Sequence, residues 1–136
     1  MANVVVITGA DAGGGRATVR ECTKRGDWVG LIGRDGARLE EAAVELRDLG
    51  VRAHAAVADI ADADAIERAA DEITEALGPI DIWVNNALAT VFSPVETTTA
   101  EEFQRGTHVT YLGTVHGTMA ALRTRAAGPP SVAQGR

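Results

Sequence analysis

The sequence predicts an α/β fold with a doubly wound parallel sheet, and two patterns carry this prediction. An unbroken apolar run, Val-Val-Val-Ile at residues 4–7, enters a glycine-rich turn and then a segment with helical spacing, as expected for a strand buried on both faces. Strand and helix patterns then alternate at about 25–30 residues per unit, which is typical of βαβ crossovers. Right-handed crossovers predict a sheet of about four strands in the order 3-2-1-4.

The individual elements follow from local signals. Strands are predicted at residues 3–8, 28–32, 51–57 and 80–84, and helices at residues 14–25, 38–49, 63–77 and 98–122. Gly26 and Gly50 end the first two helices as glycine stops, and Asp62 is expected to cap the third. The last helix is expected to begin at a capping box, because two overlapping Thr-x-x-Glu patterns occur at residues 98–102.

Length and composition predict one domain at residues 1–122 and a disordered tail at residues 123–136. The net charge of −6 argues against nucleic acid or an anionic membrane as a partner. Because no basic stretch followed by an apolar segment opens the sequence, no secretory leader is expected, and no apolar run is long enough to predict a membrane span. Its single cysteine, Cys22, excludes an intrachain disulfide, so a cytoplasmic location is expected.

The turn after the first strand has the spacing Thr8-Gly9-x-x-x-Gly13-x-Gly15. A helix that starts at such a turn presents free backbone N–H groups and the positive end of its dipole, which favour a bound anion. The alternative interpretation is an ordinary strand-to-helix loop. The spacing resembles the fingerprint of the short-chain dehydrogenase/reductase family, whose members use NAD or NADP.

A second motif supports this resemblance. The segment Asn85-Asn86-Ala87-Leu88 follows the fourth predicted strand and is similar to the Asn-Asn-Ala-Gly motif of the same family. The resemblance covers residues 3 to about 122 and implies a Rossmann-like dinucleotide-binding domain. It also implies that Asn86 and Ala87 lie along the nicotinamide ribose, whereas the simpler interpretation of the paired asparagines is a polar turn.

The end of the second strand predicts which dinucleotide is bound. An acid at this place reads the ribose of NAD, whereas a nearby arginine accommodates the 2′-phosphate of NADP. The sequence has Gly33 followed by Arg34, which favours NADP(H) because a guanidinium matches phosphate geometry; NAD is the second choice. The alternatives are that Arg34 only solvates a loop and that Asp35 caps the second helix.

The pair Asp59-Ile60 follows the third strand. By the resemblance, Asp59 reads the adenine amino group, as a carboxylate can, and Ile60 packs on the adenine ring. The alternative role for acids in this region is to stabilise the start of the next helix. No metal ligands are predicted, and the predicted cofactor-binding residues are Thr8, Gly9, Asp11, Gly13, Gly14, Gly15, Arg34, Asp59, Ile60, Asn86 and Ala87.

Several positions depart from the family pattern. Gly14 replaces a bulky aliphatic residue, Leu88 replaces a glycine and so resists a positive φ, and Thr110 stands where the family's catalytic asparagine is expected. The family also uses a serine and a Tyr-x-x-x-Lys motif for proton transfer. The only tyrosine, Tyr111, is not followed by lysine at the fourth position, and the only lysine, Lys24, lies in the first predicted helix.

The expected function is therefore that of an NADP(H)-dependent short-chain dehydrogenase/reductase, of which this chain holds the cofactor-binding half in truncated form. Such enzymes transfer hydride between the nicotinamide and a carbonyl or alcohol; a substrate is expected only if a C-terminal half completes the site, and no catalytic residue is assigned. The alternative is a non-catalytic dinucleotide-binding or oligomerisation module. Self-association through the last helix or the open edge of the fourth strand is expected.

Overall fold

A computed structural model describes residues 2–126 and contains a sheet of four parallel strands covered by helices. The strand order is β3-β2-β1-β4, which confirms the predicted order and the Rossmann-like α/β fold. The strands are β1 (Val4–Thr8), β2 (Trp28–Gly33), β3 (Ala53–Val57) and β4 (Ile82–Val84). The helices are α1 (Gly13–Lys24), α2 (Gly36–Asp48), α3 (Ala63–Leu77), α4 (Ala100–Thr107) and α5 (Gly113–Ala126).

Strand β1 lies inside the sheet and is buried on both faces. All five of its residues are buried, and Ile7 pairs in register with Leu31 of β2 and Val84 of β4. Because successive side chains of a strand point to opposite faces, Val6 packs in the layer that contains α3 and α5, and Val5 packs in the layer that contains α1 and α2. The apolar run at residues 4–7 thus forms the centre of both layers of the core.

Three helices begin at side-chain caps. The carboxylates of Asp35 and Asp62 each accept a hydrogen bond of 3.1 Å from the backbone N–H three residues later. Thr99 and Glu102 form a reciprocal capping box at the start of α4, so the second of the two overlapping patterns is the one that forms. Because Asp35 caps α2, this helix begins at Gly36, two residues earlier than predicted.

Strands β3 and β4 each begin two residues later than predicted. The N–H of Val51 donates to the carbonyl oxygen of Leu46 at 3.0 Å and closes the end of α2. The side chain of Asp81 accepts the N–H of Val4 at 2.8 Å. Only the three residues of β4 that follow then pair with β1 within the described part of the chain.

The last helix is longer than predicted. Helix α4 continues through a π-helical turn at His108–Leu112 into α5, which ends at Ala126, so residues 123–126 are helical and do not belong to a tail. Arg123 accounts for the extension, because its guanidinium pairs with two carboxylates of α3. The remainder of the predicted tail, residues 127–136, lies outside the described residues.

The inner face of α5 carries small residues. Gly113 and Gly117 are buried, and a Cβ atom at position 113 would lie 2.8 Å from Cγ1 of Ile60, so the helix approaches its neighbours too closely for a larger side chain.

Four large apolar side chains of the last helix are more than half exposed: Phe103, Tyr111, Met119 and Leu122. None of the helices within residues 2–126 combines the length and the apolar character that crossing a membrane requires.

Two glycines of this last helix test the close approach. A Cβ atom at position 106 would lie 3.9 Å from the carbonyl oxygen of Ala89, so Gly106→Ala is expected to raise the free energy of unfolding by about 0.5–1 kcal/mol. Gly113→Ala is expected to lower it by about 1–3 kcal/mol, because the buried Ile60 must move. Urea unfolding followed by circular dichroism measures both changes, and a stabilised Gly113→Ala variant would contradict the close approach.

Candidate functional site

A cleft of about 500 Å³ opens at the carboxyl ends of β1, β2 and β4. It lies beside the boundary between β1 and β4, where the strand order reverses, and open α/β sheets bind ligands at such a point. Its volume is in the range of small-molecule sites. The cleft is lined by Thr8, Gly9, Asp11, Ala12, Gly13, Gly14, Ile32, Gly33, Arg34, Ala58, Ile60, Asn86, Ala87, Leu88, Ala89, Arg105 and Val109.

The structure brings together most of the residues that the sequence predicts for a cofactor site. All of them line the cleft except Gly15 and Asp59. A Cβ atom on Gly15 would lie 2.1 Å from the carbonyl oxygen of Gly9, so Gly15 lets α1 pack against the turn and does not face the cleft. The guanidinium of Arg105 donates hydrogen bonds to the carboxylate of Asp59, and Arg105, not Asp59, lines the cleft.

The hydroxyl of Thr8 fixes the base of the cleft. Its Oγ1 accepts hydrogen bonds from the backbone N–H groups of Asn86 at 3.0 Å and Ala87 at 3.1 Å, and it donates to the carbonyl oxygen of Val84 at 3.4 Å. In return, Nδ2 of Asn86 donates to the carbonyl oxygen of Thr8 at 3.1 Å. The ends of β1 and β4 therefore hold each other, and both side chains have a structural role here.

The start of α1 differs from the starts of α2, α3 and α4. Side chains cap those three helices, whereas Ala12 precedes α1 and supplies no side-chain hydrogen bond. The first turn of α1 also contains no acidic residue. Gly13, with a left-handed φ of +55°, and Gly14 place this first turn against the cleft. Uncapped N–H groups at the positive end of a helix dipole favour a bound anion such as a phosphate.

Two departures from the family pattern cause no strain. A Cβ atom on Gly14 would lie 3.6 Å from Oδ1 of Asn86, an ordinary van der Waals contact, so this position has room for a side chain. Among the described residues, glycines alone have positive φ, so Leu88 does not adopt the conformation that its motif's glycine allows. Its side chain is exposed at the cleft.

Asp59 forms a two-pronged ion pair with Arg105 of α4. Nη1 and Nη2 of Arg105 donate to the two carboxylate oxygens at 2.8 and 3.2 Å, and the N–H of Ala61 donates to Oδ1 at 3.0 Å. Partial burial raises the pKa of Asp59, but the hydrogen bonds from Arg105 and Ala61 and the charges of Arg105 and Arg34 outweigh burial, so this pKa lies below its ordinary value. Arg34 itself is exposed, with Nε 3.9 Å from Oδ2 of Asp59.

Sequence reasoning missed Arg105 and Val109, which line the cleft from the last helix. Arg105 is 46 positions from Asp59 along the chain, and no motif connects the two. The available signal was the spacing of four residues between Arg105 and Val109, which places both on one side of a helix. That spacing identifies a common face but not the strand end that the face meets.

Thr110, aligned with the family's catalytic asparagine, lies in the π-helical turn. Its Oγ1 accepts the N–H of Ala89 at 3.0 Å and donates to the carbonyl oxygen of Ala89 at 3.1 Å. Helical turns of this kind frequently occur at functional sites. In this chain the hydroxyl fastens the loop after β4 to the helix beside the cleft.

Comparison with known sequences gives a consistent result. A profile of short chain dehydrogenases matches residues 3–129. An uncharacterised oxidoreductase of Bacillus subtilis, YxnA, is 33% identical over 120 residues, which are 88% of this chain and 34% of that protein. Sulfoacetaldehyde reductase 2 of Chromohalobacter salexigens is 37% identical over 125 residues, 91% of this chain and 49% of that protein. The chain thus spans between a third and a half of the length of these relatives.

Solved structures share the fold. A short chain dehydrogenase from Mycobacterium smegmatis has a TM-score of 0.87 at 33% identity, over 93% of this chain and 52% of that one. A blue fluorescent protein from a metagenomic library, in complex with NADPH, has a TM-score of 0.83 at 27% identity, over 93% and 51%. NAD⁺-bound xylitol dehydrogenase has a TM-score of 0.86 at 28% identity, over 92% and 48%. Both dinucleotides therefore occur among the structural neighbours.

The substitution Arg105→Gln tests the ion pair with Asp59. Both side chains are 37% exposed, so the pair is expected to stabilise the fold by about 0.2–1 kcal/mol. Because folding lowers the pKa of Asp59, this stabilisation is present above the ordinary carboxyl pKa and is lost as the pH falls through the lowered value. The difference in Tm between wild type and Arg105→Gln should therefore be largest near neutral pH and shrink on acidification.

The control for this experiment is the Asp59→Asn background. Once the carboxylate is absent, Arg105→Gln should change Tm little at any pH, because the side chain at position 105 then has no charged partner at position 59. Thermal unfolding between neutral and acidic pH gives the Tm of the wild type, Arg105→Gln, Asp59→Asn and the double variant. A difference that grows as the pH falls would show that the pair is not what stabilises this contact.

Proposed function

The chain belongs to the short-chain dehydrogenase family, and we propose that it binds NADP(H) in the cleft at the carboxyl edge of its sheet, with NAD(H) as the second choice. The observation that carries this proposal is the start of α1, whose first turn has no side-chain cap and faces the cleft. The pyrophosphate of a dinucleotide is the anion that such a helix start binds in βαβ folds.

Other residues of the cleft suit the remaining parts of the dinucleotide. The exposed guanidinium of Arg34 matches a 2′-phosphate, and Ile60 offers an apolar contact for the adenine ring. By the resemblance, Asn86 and Ala87 would lie along the nicotinamide ribose. When bound, the nicotinamide would supply or accept the hydride.

Asp59 stays in the proposal as the reader of the adenine amino group. A carboxylate offers about four acceptor positions, of which Arg105 uses two and the N–H of Ala61 uses one. The remaining position accepts no hydrogen bond from the described residues, and we propose that it takes the exocyclic amine. Arg105 then acts as a positioning residue that holds the carboxylate in one orientation.

Hydride transfer between the nicotinamide and a carbonyl or alcohol is our proposal for the whole protein, since this chain spans about half the length of its structural neighbours. By the resemblance, the proton comes from the tyrosine of a Tyr-x-x-x-Lys motif. Tyr111 is exposed on the outer surface of the last helix and is followed at the fourth position by Val115. We therefore assign dinucleotide binding, without turnover, to these 136 residues.

Calorimetric titration with NADPH and with NADH tests the proposal. Micromolar binding of NADPH is expected, and Arg34→Gln should weaken it by about 10–100-fold, because a hydrogen bond to a charged group contributes about 1.5–3 kcal/mol. The affinity for NADH should change little, because NADH lacks the 2′-phosphate. The matched control is Arg20→Gln on the exposed side of α1, which should leave both affinities unchanged. The absence of heat with either nucleotide would refute the proposal.

A second function, self-association, is favoured by the exposed apolar residues of α4 and α5. Phe103, Tyr111, Met119 and Leu122 are 52–67% exposed, and exposed apolar groups of this size frequently mark interaction surfaces. Leu122 also lines a groove beside β4, where Ile82 is exposed. We propose that a second copy of this chain covers the helix surface.

The double substitution Tyr111→Glu/Met119→Glu tests this surface. It is expected to convert an associated species to monomer in sedimentation velocity, because two charges would have to be buried in the interface. The control is Val44→Glu, an exposed apolar position on α2, which should not change the mass. A monomeric wild type, or dispersal by Ile82→Lys but not by the helix variants, would overturn the assignment.

We also propose a cytoplasmic location. Cys22 is a free thiol, and burial, together with nearby charges, raises its pKa, which keeps it in the unreactive thiol form. Reducing compartments preserve such thiols. Cell fractionation of a tagged chain tests the location directly.

A further inference from the structure

The carboxylate of Asp11 occupies the space into which a side chain at position 33 would extend. Gly33 ends β2 and is buried, and a Cβ atom built on it would lie 2.8 Å from Cγ, 2.9 Å from Oδ1 and 3.0 Å from Oδ2 of Asp11. The end of β2 is the place from which an acid reads the adenine ribose of NAD in dinucleotide-binding folds. In this chain an acid reaches that place from the glycine turn instead of from the strand.

Asp11 is held in place by a backbone hydrogen bond. Its Oδ2 accepts the backbone N–H of Asp35 at 3.1 Å, and the residue is partly buried where it lines the cleft. The neighbouring acids each have a cationic partner, because Asp35 pairs with Arg38 and Asp59 pairs with Arg105. Within residues 2–126, Asp11 has no ion-pair partner, so its negative charge is directed at whatever ligand the cleft holds.

We propose that Asp11 determines the dinucleotide specificity of the cleft, an inference that rests on the proposed function. Its Oδ1 accepts the ribose 2′-hydroxyl of NAD(H), a charge-assisted hydrogen bond, and its charge opposes the 2′-phosphate of NADP(H). Arg34 has the opposite effect on specificity, because its positive charge favours the 2′-phosphate of NADP(H). The selectivity of the cleft is thus a balance of two side chains, and the wild type binds NADH and NADPH with Kd values within about tenfold of each other.

The substitution Asp11→Asn removes the charge and keeps both the shape and the oxygen that accepts the N–H of Asp35. Calorimetric titration should then show a Kd for NADPH about tenfold lower and a Kd for NADH about tenfold higher than in the wild type. The matched control is Asp64→Asn, an exposed acid in the first turn of α3 that lies outside the cleft lining. It should leave both Kd values unchanged.

An exchange of positions tests the place of the carboxylate separately from its charge. Asp11→Gly should weaken NADH binding by about tenfold, and the double variant Asp11→Gly/Gly33→Asp, which returns the acid to the strand end, should restore it. Gly33→Asp alone should lower Tm, because its Cβ would contact the carboxylate of Asp11. Circular dichroism establishes that each titrated variant is folded.

The outcomes separate the two hypotheses. If the wild type binds neither nucleotide, the dinucleotide site itself is wrong, and the role of Asp11 fails with it. If the wild type binds both nucleotides but Asp11→Asn changes the ratio of the two Kd values by less than about twofold, the site stands and the role of Asp11 is overturned. Failure of the exchanged variant to recover NADH affinity would likewise count against it.

Discussion

The hydrogen bonds of Thr8 to the segment after β4 are the contacts on which the cleft depends. They join strand ends that are 78 positions apart in the chain. Thr8 is 1% exposed, and loss of its hydroxyl would leave the partly buried N–H groups of Asn86 and Ala87 without their partner, which costs more than a typical hydrogen bond contributes where water cannot replace it. Asn86 also donates to the carbonyl oxygen of Gly9. The same contacts therefore hold the left-handed turn that directs α1 at the cleft.

The cleft combines opposite charges at short range, in contrast to the acidic chain that surrounds it. The uncapped start of α1 and the guanidinium of Arg34 are positive, Asp11 is negative, and the charge of Asp59 is cancelled by Arg105. A net charge of −6 is therefore no guide to what this site binds, because helix-terminal dipoles act only within a turn or so and distant exposed charges are screened. On the proposed function, the choice of dinucleotide would depend on the few groups placed near the ribose.

Features with local signals could be predicted from the sequence, and features made by distant contacts could not. The buried run of β1, the caps of α2 and α3, and the strand order rest on neighbouring residues and on general rules of connection. Most of the candidate site was also within reach, because the carboxyl ends of parallel strands meet at one edge. The pairing of Asp59 with Arg105 spans 46 positions, and the contact of Asp11 with position 33 depends on how the turn folds back. The predicted tail began too early for the same reason, since Arg123 is held by acids of α3 more than fifty positions before it.

The last helix couples the stability of the fold to the shape of the cleft. It brings Arg105 to Asp59, places Val109 in the lining, and ties the loop after β4 through Thr110. These contacts exist only while the helix is docked, and docking requires the absence of a side chain at Gly113. A ligand that fills the cleft must therefore bind the docked form and stabilise it by mass action. The small residues that permit docking also leave the large apolar side chains of this helix on its outer surface, so the cleft and the exposed apolar surface are two consequences of one packing arrangement.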